Sequence, residues 1–154
     1  MRSLVLAAAL ALTAAPLSAQ TADADSAVRH AVQAFYDAFN SHHFDRAADF
    51  TTDDWNHINP YGGRTRGRAA VLAELREVHS TFLRNVSDSV RQMDVRFASP
   101  EVAVATVVSQ VSAMTTPDGV NHPSERQIRT FVVVRRGSRW LVMQDHNTIV
   151  KPLP

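Results

Sequence analysis

The chain has no cysteine, which removes disulfide frameworks, thiolate nucleophiles, cysteine-ligated zinc and cysteine-held iron–sulfur clusters from consideration. It has almost no lysine, a single one against fifteen arginines. Neither sign of charge is in excess: 16 basic side chains face 15 acidic ones, so no basic field marks a nucleic-acid partner. No Gly-x-Gly-x-x-Gly spacing and no Gly-Lys-Ser/Thr ending occurs, and no step of the chemistry considered below demands an organic cofactor. What remains is ordinary globular material. Of the 154 residues, 45% are hydrophobic and 20% charged, which excludes whole-chain disorder and suits a single domain around one core.

The first twenty positions read differently from the rest. Met1 and Arg2 give a positive start, Ser3 to Ala15 an apolar run, and Pro16-Leu17-Ser18-Ala19 a break ending on a small residue, the three-part pattern of a secretory leader. The run is about a dozen residues, whereas a spanning helix needs roughly 20. Residues 1–20 are therefore expected to be cleaved near Ala19 or Gln20, leaving 21–154 as one domain, periplasmic or secreted, with no membrane attachment. The arginine-rich, alanine-rich composition suits a GC-rich bacterial source.

From Asp25 the apolar positions Val28, Ala31, Val32, Phe35 and Phe39 follow the spacing of one helix face, with Asp25 or Ser26 available as N-cap. Phe44, Ala47, Ala48 and Phe50 predict a short second helix. Trp55 to Asn59 predicts a strand closed by Pro60-Tyr61-Gly62-Gly63, and Arg68 to Leu83 a third helix with Val71, Leu72, Leu75, Val78, His79 and Phe82 on one face. Everything after that predicts sheet: a strand through Met93, Val95 and Phe97, a long one from Glu101 to Met114, a turn at Thr116-Pro117-Asp118-Gly119, a strand from Ile128 to Arg135, a hairpin at Arg136-Gly137-Ser138 and a last strand from Trp140 to Val150. Helices followed by a run of strands argue for an α+β fold. The central strands are apolar on both parities, Val102, Val104 and Val108 on one and Ala103, Val107 and Val111 on the other. One face holds the helices; the other predicts a homodimer through the sheet.

The segment Asp54-Trp55-Asn56-His57-Ile58-Asn59-Pro60-Tyr61-Gly62-Gly63, running into Gly67-Arg68 and an apolar helix, together with the closing strand Trp140-Leu141-Val142-Met143-Gln144-Asp145-His146-Asn147-Thr148, resembles the nuclear-transport-factor-2-like superfamily, and within it the SnoaL-like and SgcJ/EcaC-type proteins of bacteria. The likeness spans roughly Ala27 to Val150. It implies three helices packed on a strongly curved, mostly antiparallel sheet, a cone with an internal cavity, and commonly a homodimer. Function does not follow, because this fold hosts isomerases, cyclases, dehydratases and non-enzymatic binders. Ketosteroid isomerase, a relative, places a carboxylate base before the proline of the post-strand turn and a tyrosine on the first helix. The matching positions here are Asn59 and either Phe35 or Tyr36, and a carboxamide cannot abstract a proton.

Strand parity supplies the remaining candidates. Trp55, His57 and Asn59 share one parity on the first strand; Trp140, Val142, Gln144, His146 and Thr148 share one on the last. Facing inward, these would bring His57, Gln144 and His146 to the cavity, joined by His79 from the third helix. Imidazole gives and takes protons near neutrality, and Asp53, Asp54 or Asp145 could orient it. Arg126 and Arg129 read equally as cavity cations or surface charges. No compact His-x-x-x-His spacing supports a metal site, the glycines at 62, 63 and 67 serve turns rather than phosphate, and His42-His43 read as solvated loop residues. Arg64, Arg66 and Arg68 read as a solvated rim.

The expectation is thus a cone that binds a small apolar, carbonyl-bearing ligand, with His57, Asn59 and His146 as catalytic candidates and Tyr36, Trp55, His79, Trp140 and Gln144 as ligand-binding ones. The alternative is a non-catalytic ligand-binding or protein-interaction module of the same fold.

Overall fold

The computed structural model describes residues 17–151, with side chains described from Thr21 onward. The expected leader, residues 1–20, lies outside the described residues apart from positions 17–20, which open the first helix. That helix, α1 (Leu17–Ser41), starts earlier than its apolar face suggested, and Asp25 sits inside it, pairing with Arg29 one turn on at 2.6 Å instead of capping. Val28, Val32 and Phe35 on its inner face are fully buried. The helix ends where His42 turns left-handed (φ 59): its N–H reaches the Phe39 carbonyl at 3.1 Å and the His43 N–H reaches that of Ala38 at 3.1 Å, the paired bonds that usually call for glycine.

The expected second helix is only one 3-10 turn, Ala47–Asp49. Phe44 and Phe50 are buried as helix periodicity requires, but the stretch is too short to repay helix nucleation, and the Thr51 hydroxyl takes the Ala47 carbonyl at 2.7 Å as the chain goes straight into a strand. The third predicted helix is therefore the second one, α2 (Arg68–Ser80); Phe82 and Leu83 lie in the turn beyond it.

The strands are β1 (Thr51–Ile58), β2 (Arg64–Arg66), β3 (Asp88–Ser99), β4 (Val102–Val111), β5 (Met114–Thr115), β6 (Asn121–His122), β7 (Glu125–Arg136) and β8 (Arg139–Ile149). Six of them form one curved sheet in the order β2-β1-β8-β7-β4-β3, and β5 and β6 make a small arm of their own. All neighbours in the large sheet run antiparallel except β1 and β8, which are parallel. This is an α+β fold with, among the described residues, two α-helices on the inner face of the sheet.

Burial in β4 alternates strictly, with Ala103, Ala105, Val107, Ser109 and Val111 toward the helices. Small residues there leave room for large ones from α1. Phe35 sits at the centre, edge-on to Tyr36, Phe44, Trp55 and Phe131 with ring centroids 5.4 to 6.3 Å apart, the arrangement that aromatic quadrupoles favour. Two side chains lock α1 to the sheet. Arg29 donates to the Met93 carbonyl at 2.7 Å, and Asn40 bonds both the N–H and the carbonyl of Asp88 at 2.8 and 3.0 Å.

Strand β8 breaks its own alternation. Val132 pairs with Gln144 and Val133 with Val142, so Met143 is an extra residue in a β-bulge. Trp140 and Val142 are buried before it, Asp145 and Asn147 after it.

Candidate functional site

The bulge decides the site. A single parity along β8 would have sent Gln144 and His146 inward; beyond Met143 that parity points out, and His146 is exposed while Gln144 accepts a hydrogen bond from Asn56 at 2.7 Å on the outer side. Asp145 takes the inward place. It is fully buried, and three donors converge on its carboxylate: the Trp55 indole N–H at 2.8 Å, His57 Nδ1 at 2.9 and 3.1 Å, and an Arg129 guanidinium N–H at 3.3 Å. Burial alone would raise its pKa; the charge and hydrogen bond of His57, the charge of Arg129 and the Trp55 bond outweigh that and hold it below the ordinary 3.8.

His57 lies on β1 with the inward parity its spacing predicted, and is 6% exposed. In the neutral ring a carboxylate on Nδ1 selects the tautomer with the proton there, which leaves Nε2 with its lone pair. His57 lines a hollow of about 110 Å³ between α1, α2, the turn after β1 and the inner face of the sheet. One wall is apolar, with Phe39, Leu75, Val78 and Phe82; the other carries Gln127, Arg129 and Asn147. An engineered cavity of 150 Å³ takes benzene, so this space suits a molecule of only a few heavy atoms, or the reacting end of a larger one.

The remaining candidates fall in several places. Asn59 lines the hollow, but its side-chain oxygen accepts the backbone N–H groups of Tyr61 and Gly63, both at 3.0 Å, as a turn former does. Trp55 is buried in the core and meets the site through its N–H on Asp145 instead of presenting a ligand wall. Trp140 packs edge-on against Phe97 and borders a separate outer groove by α1, away from His57. Tyr36 is fully buried behind the hollow, its hydroxyl beside Ser109 and near Asp88; burial foremost pushes its pKa to about 12. His79 is packed between Phe39 and Phe44, and its Nδ1 lies 2.8 Å from Nδ1 of His42. Burial first, then the charges of His42 and Arg129, drop its pKa to about 4. His42 is thus half-buried and engaged, not a solvated loop residue. Arg68 likewise leaves the solvated rim, donating to the Thr51 carbonyl at 3.0 Å and pairing with Asp53.

Spacing alone did not single out Gln127, Asn147, Glu74 or Tyr61, all of which line the hollow. Gln127 and Arg129 share the parity of Phe131 and Val133 on β7, a signal that separates inward Arg129 from exposed Arg126. Among the described residues no group of three or more His, Asp or Glu side chains is arranged to hold a metal ion.

No curated protein is similar enough in sequence to match this chain. Among solved structures, an uncharacterised protein with a cystatin-like fold from Caulobacter vibrioides is 27% identical, with a TM-score of 0.81 over 84% of this chain and 92% of that one. A type 2 hexachlorocyclohexane dehydrochlorinase shares the fold at 12% identity, TM-score 0.77, over 87% of this chain and 90% of its own. A candidate scytalone dehydratase from Novosphingobium aromaticivorans does so at 15% identity, TM-score 0.72, over 88% and 89%. The SnoaL-like domain profile matches residues 32–141, from the inner face of α1 through β1, α2 and the long strands into β8; the chain belongs to the SnoaL-like family.

Proposed function

We propose that this protein is an enzyme that moves a proton on carbon in a small carbonyl-bearing substrate, as dehydratases and isomerases do, with His57 as the general base. The observation that carries the reading is the buried His57–Asp145 pair at 2.9 Å on the wall of the hollow. His57 Nε2 takes a proton from the carbon beside the carbonyl, and the C–H electron pair becomes the double bond of an enolate whose charge rests on the carbonyl oxygen. The enolate then either expels a β-substituent, a hydroxyl leaving as water with the proton returned by His57, or, where the substrate carries a β,γ-double bond, takes that proton back at the γ-carbon as the double bond moves into conjugation. Asp145 stabilises the imidazolium formed on the way. Two fold neighbours carry the names of eliminating enzymes, which fits this reading.

The test is proton exchange in D₂O. Small ketones and β-hydroxy carbonyl compounds incubated with the protein should take up deuterium at the α-carbon or lose water, followed by NMR. No exchange with any of them, in a protein that still binds small ligands, would leave the non-catalytic binding module in its place.

The same proposal puts the mature protein in the periplasm or outside the cell, because of the three-part leader in residues 1–20; an intact mass that retains Met1 counts against it. It also pairs two chains through the outer face of the sheet, where Val104, Val108 and Val132 are only partly covered and Ile128 is 38% exposed. Sedimentation at a single-chain mass counts against that. The Asp54 to Gly63 segment further supports a place in the SgcJ/EcaC-type branch.

A further inference from the structure

Arg129 has more N–H donors than the groups around it accept. The side chain is 4% exposed and lines the hollow, yet among the described residues one N–H at 3.3 Å from Asp145 is its sole hydrogen bond, the longest contact that carboxylate makes. Its Nε is buried with no hydrogen-bond partner among the described residues. A guanidinium carries five N–H donors in a planar fork, so most of its capacity is unspent. The Phe35 ring, 4.6 Å below, supports the cation without accepting an N–H in the plane of the fork.

The groups around it do not close the account. Asp145 is shared with Trp55 and His57. Asp88 is the other carboxyl near Arg129; both its oxygens are buried without a hydrogen bond among the described residues, and burial first of all raises its pKa, which weakens it as a counter-ion. The Tyr36 hydroxyl and His79 also lie within electrostatic reach, and neither is an anion with its pKa near 12 or near 4. A second donor stands beside Arg129. Asn147 uses its oxygen on the Thr148 N–H at 3.0 Å and therefore turns its NH₂ to the Gln127 oxygen at 2.5 Å, which leaves the Gln127 NH₂ as a donor on the same wall two residues from Arg129.

We propose that the hollow takes a small carboxylic acid, its carboxylate held by the Arg129 guanidinium and the Gln127 amide, and its apolar part against Leu75, Val78 and Phe82. The carboxylate is the anchor and not the reacting group, so the substrate of the proposed reaction is an oxo acid with few carbons, whose separate carbonyl takes the enolate charge. This rests on the reading of the hollow as a substrate site, but not on His57 acting as a base.

Butanoate and butanamide, nearly identical in shape and different in charge, test it without any reaction. Titrated into the wild-type protein, butanoate should bind about ten-fold tighter or more and shift the Arg129 Nε–H resonance. Arg129→Lys, which keeps the charge and loses the fork, should reduce that preference. His57→Gln should retain it, and a wild-type protein that prefers butanoate but turns over none of the carbonyl compounds sinks the base reading alone. Equal affinity for the two probes, no binding of either, or a preference that vanishes in His57→Gln but persists in Arg129→Lys overturns the carboxylate site.

Discussion

His57 and Asp145 are register partners across the parallel β1–β8 pair, so their side chains leave the sheet on the same face and meet at 2.9 Å. The contact is therefore fixed by backbone pairing as well as by the side chains. Strands hold such a pair more rigidly than loops, which is what a base and its orienting carboxylate need.

Replacing His57 by Gln should lower turnover about 100- to 10,000-fold, the range that a positioned base contributes. Asp145 keeps its bonds from Trp55 and Arg129, so the variant should stay folded. Steady-state kinetics beside a urea melt separates the two effects.

Asp145→Asn removes the carboxylate nearest buried Arg129 and should cost about 3–5 kcal/mol of stability, read from urea unfolding. The wild-type pH dependence carries the same information. Because the folded-state pKa lies below the ordinary 3.8, the stability that Asp145 contributes is complete above that value and is lost as pH falls through and below it. An acid transition unchanged in the Asn variant would contradict this.

His79 acts at milder pH. Its pKa falls from 6.5 unfolded to about 4 folded, so between those values the unfolded chain binds the extra proton and stability declines as pH drops. From pH 6.5 to 5 the loss should be about 2 kcal/mol. His79→Leu should flatten that slope in chemical melts at the two pH values, whatever it does to stability at neutrality.

Asn59→Ala should cost about 1 kcal/mol, because two turn N–H groups lose their side-chain acceptor at an exposed position. Turnover should drop far less than in His57→Gln. A loss as large as that of the histidine variant would return Asn59 to the chemistry.

The elements readable beforehand were those whose period is uninterrupted. Val28, Val32 and Phe35 announced α1, β4 alternates to its end, and on β1 Trp55 and His57 share the buried face. What stayed hidden was set by partners far away in sequence. Met143 looks like any strand residue; only its pairing with β7 reveals the bulge, and that bulge exchanges His146 and Gln144 for Asp145. The 3-10 turn was hidden by length, since Phe44, Ala47 and Phe50 are buried as a helix would bury them. Arg129 stayed undecided because a long cationic chain on an alternating strand suits either side until its neighbours are known.

The β1–β8 pairing has a consequence for the order of events during biosynthesis. Position 57 emerges from the ribosome well before position 145, and long-range parallel pairing is among the slower steps a chain performs. The imidazole must therefore wait, solvated and unaligned, until the final strand has been made and slotted between β1 and β7. A truncated or half-translated product can hold helix α1 and still lack the His57–Asp145 contact, so formation of that contact reports that the last segment has docked.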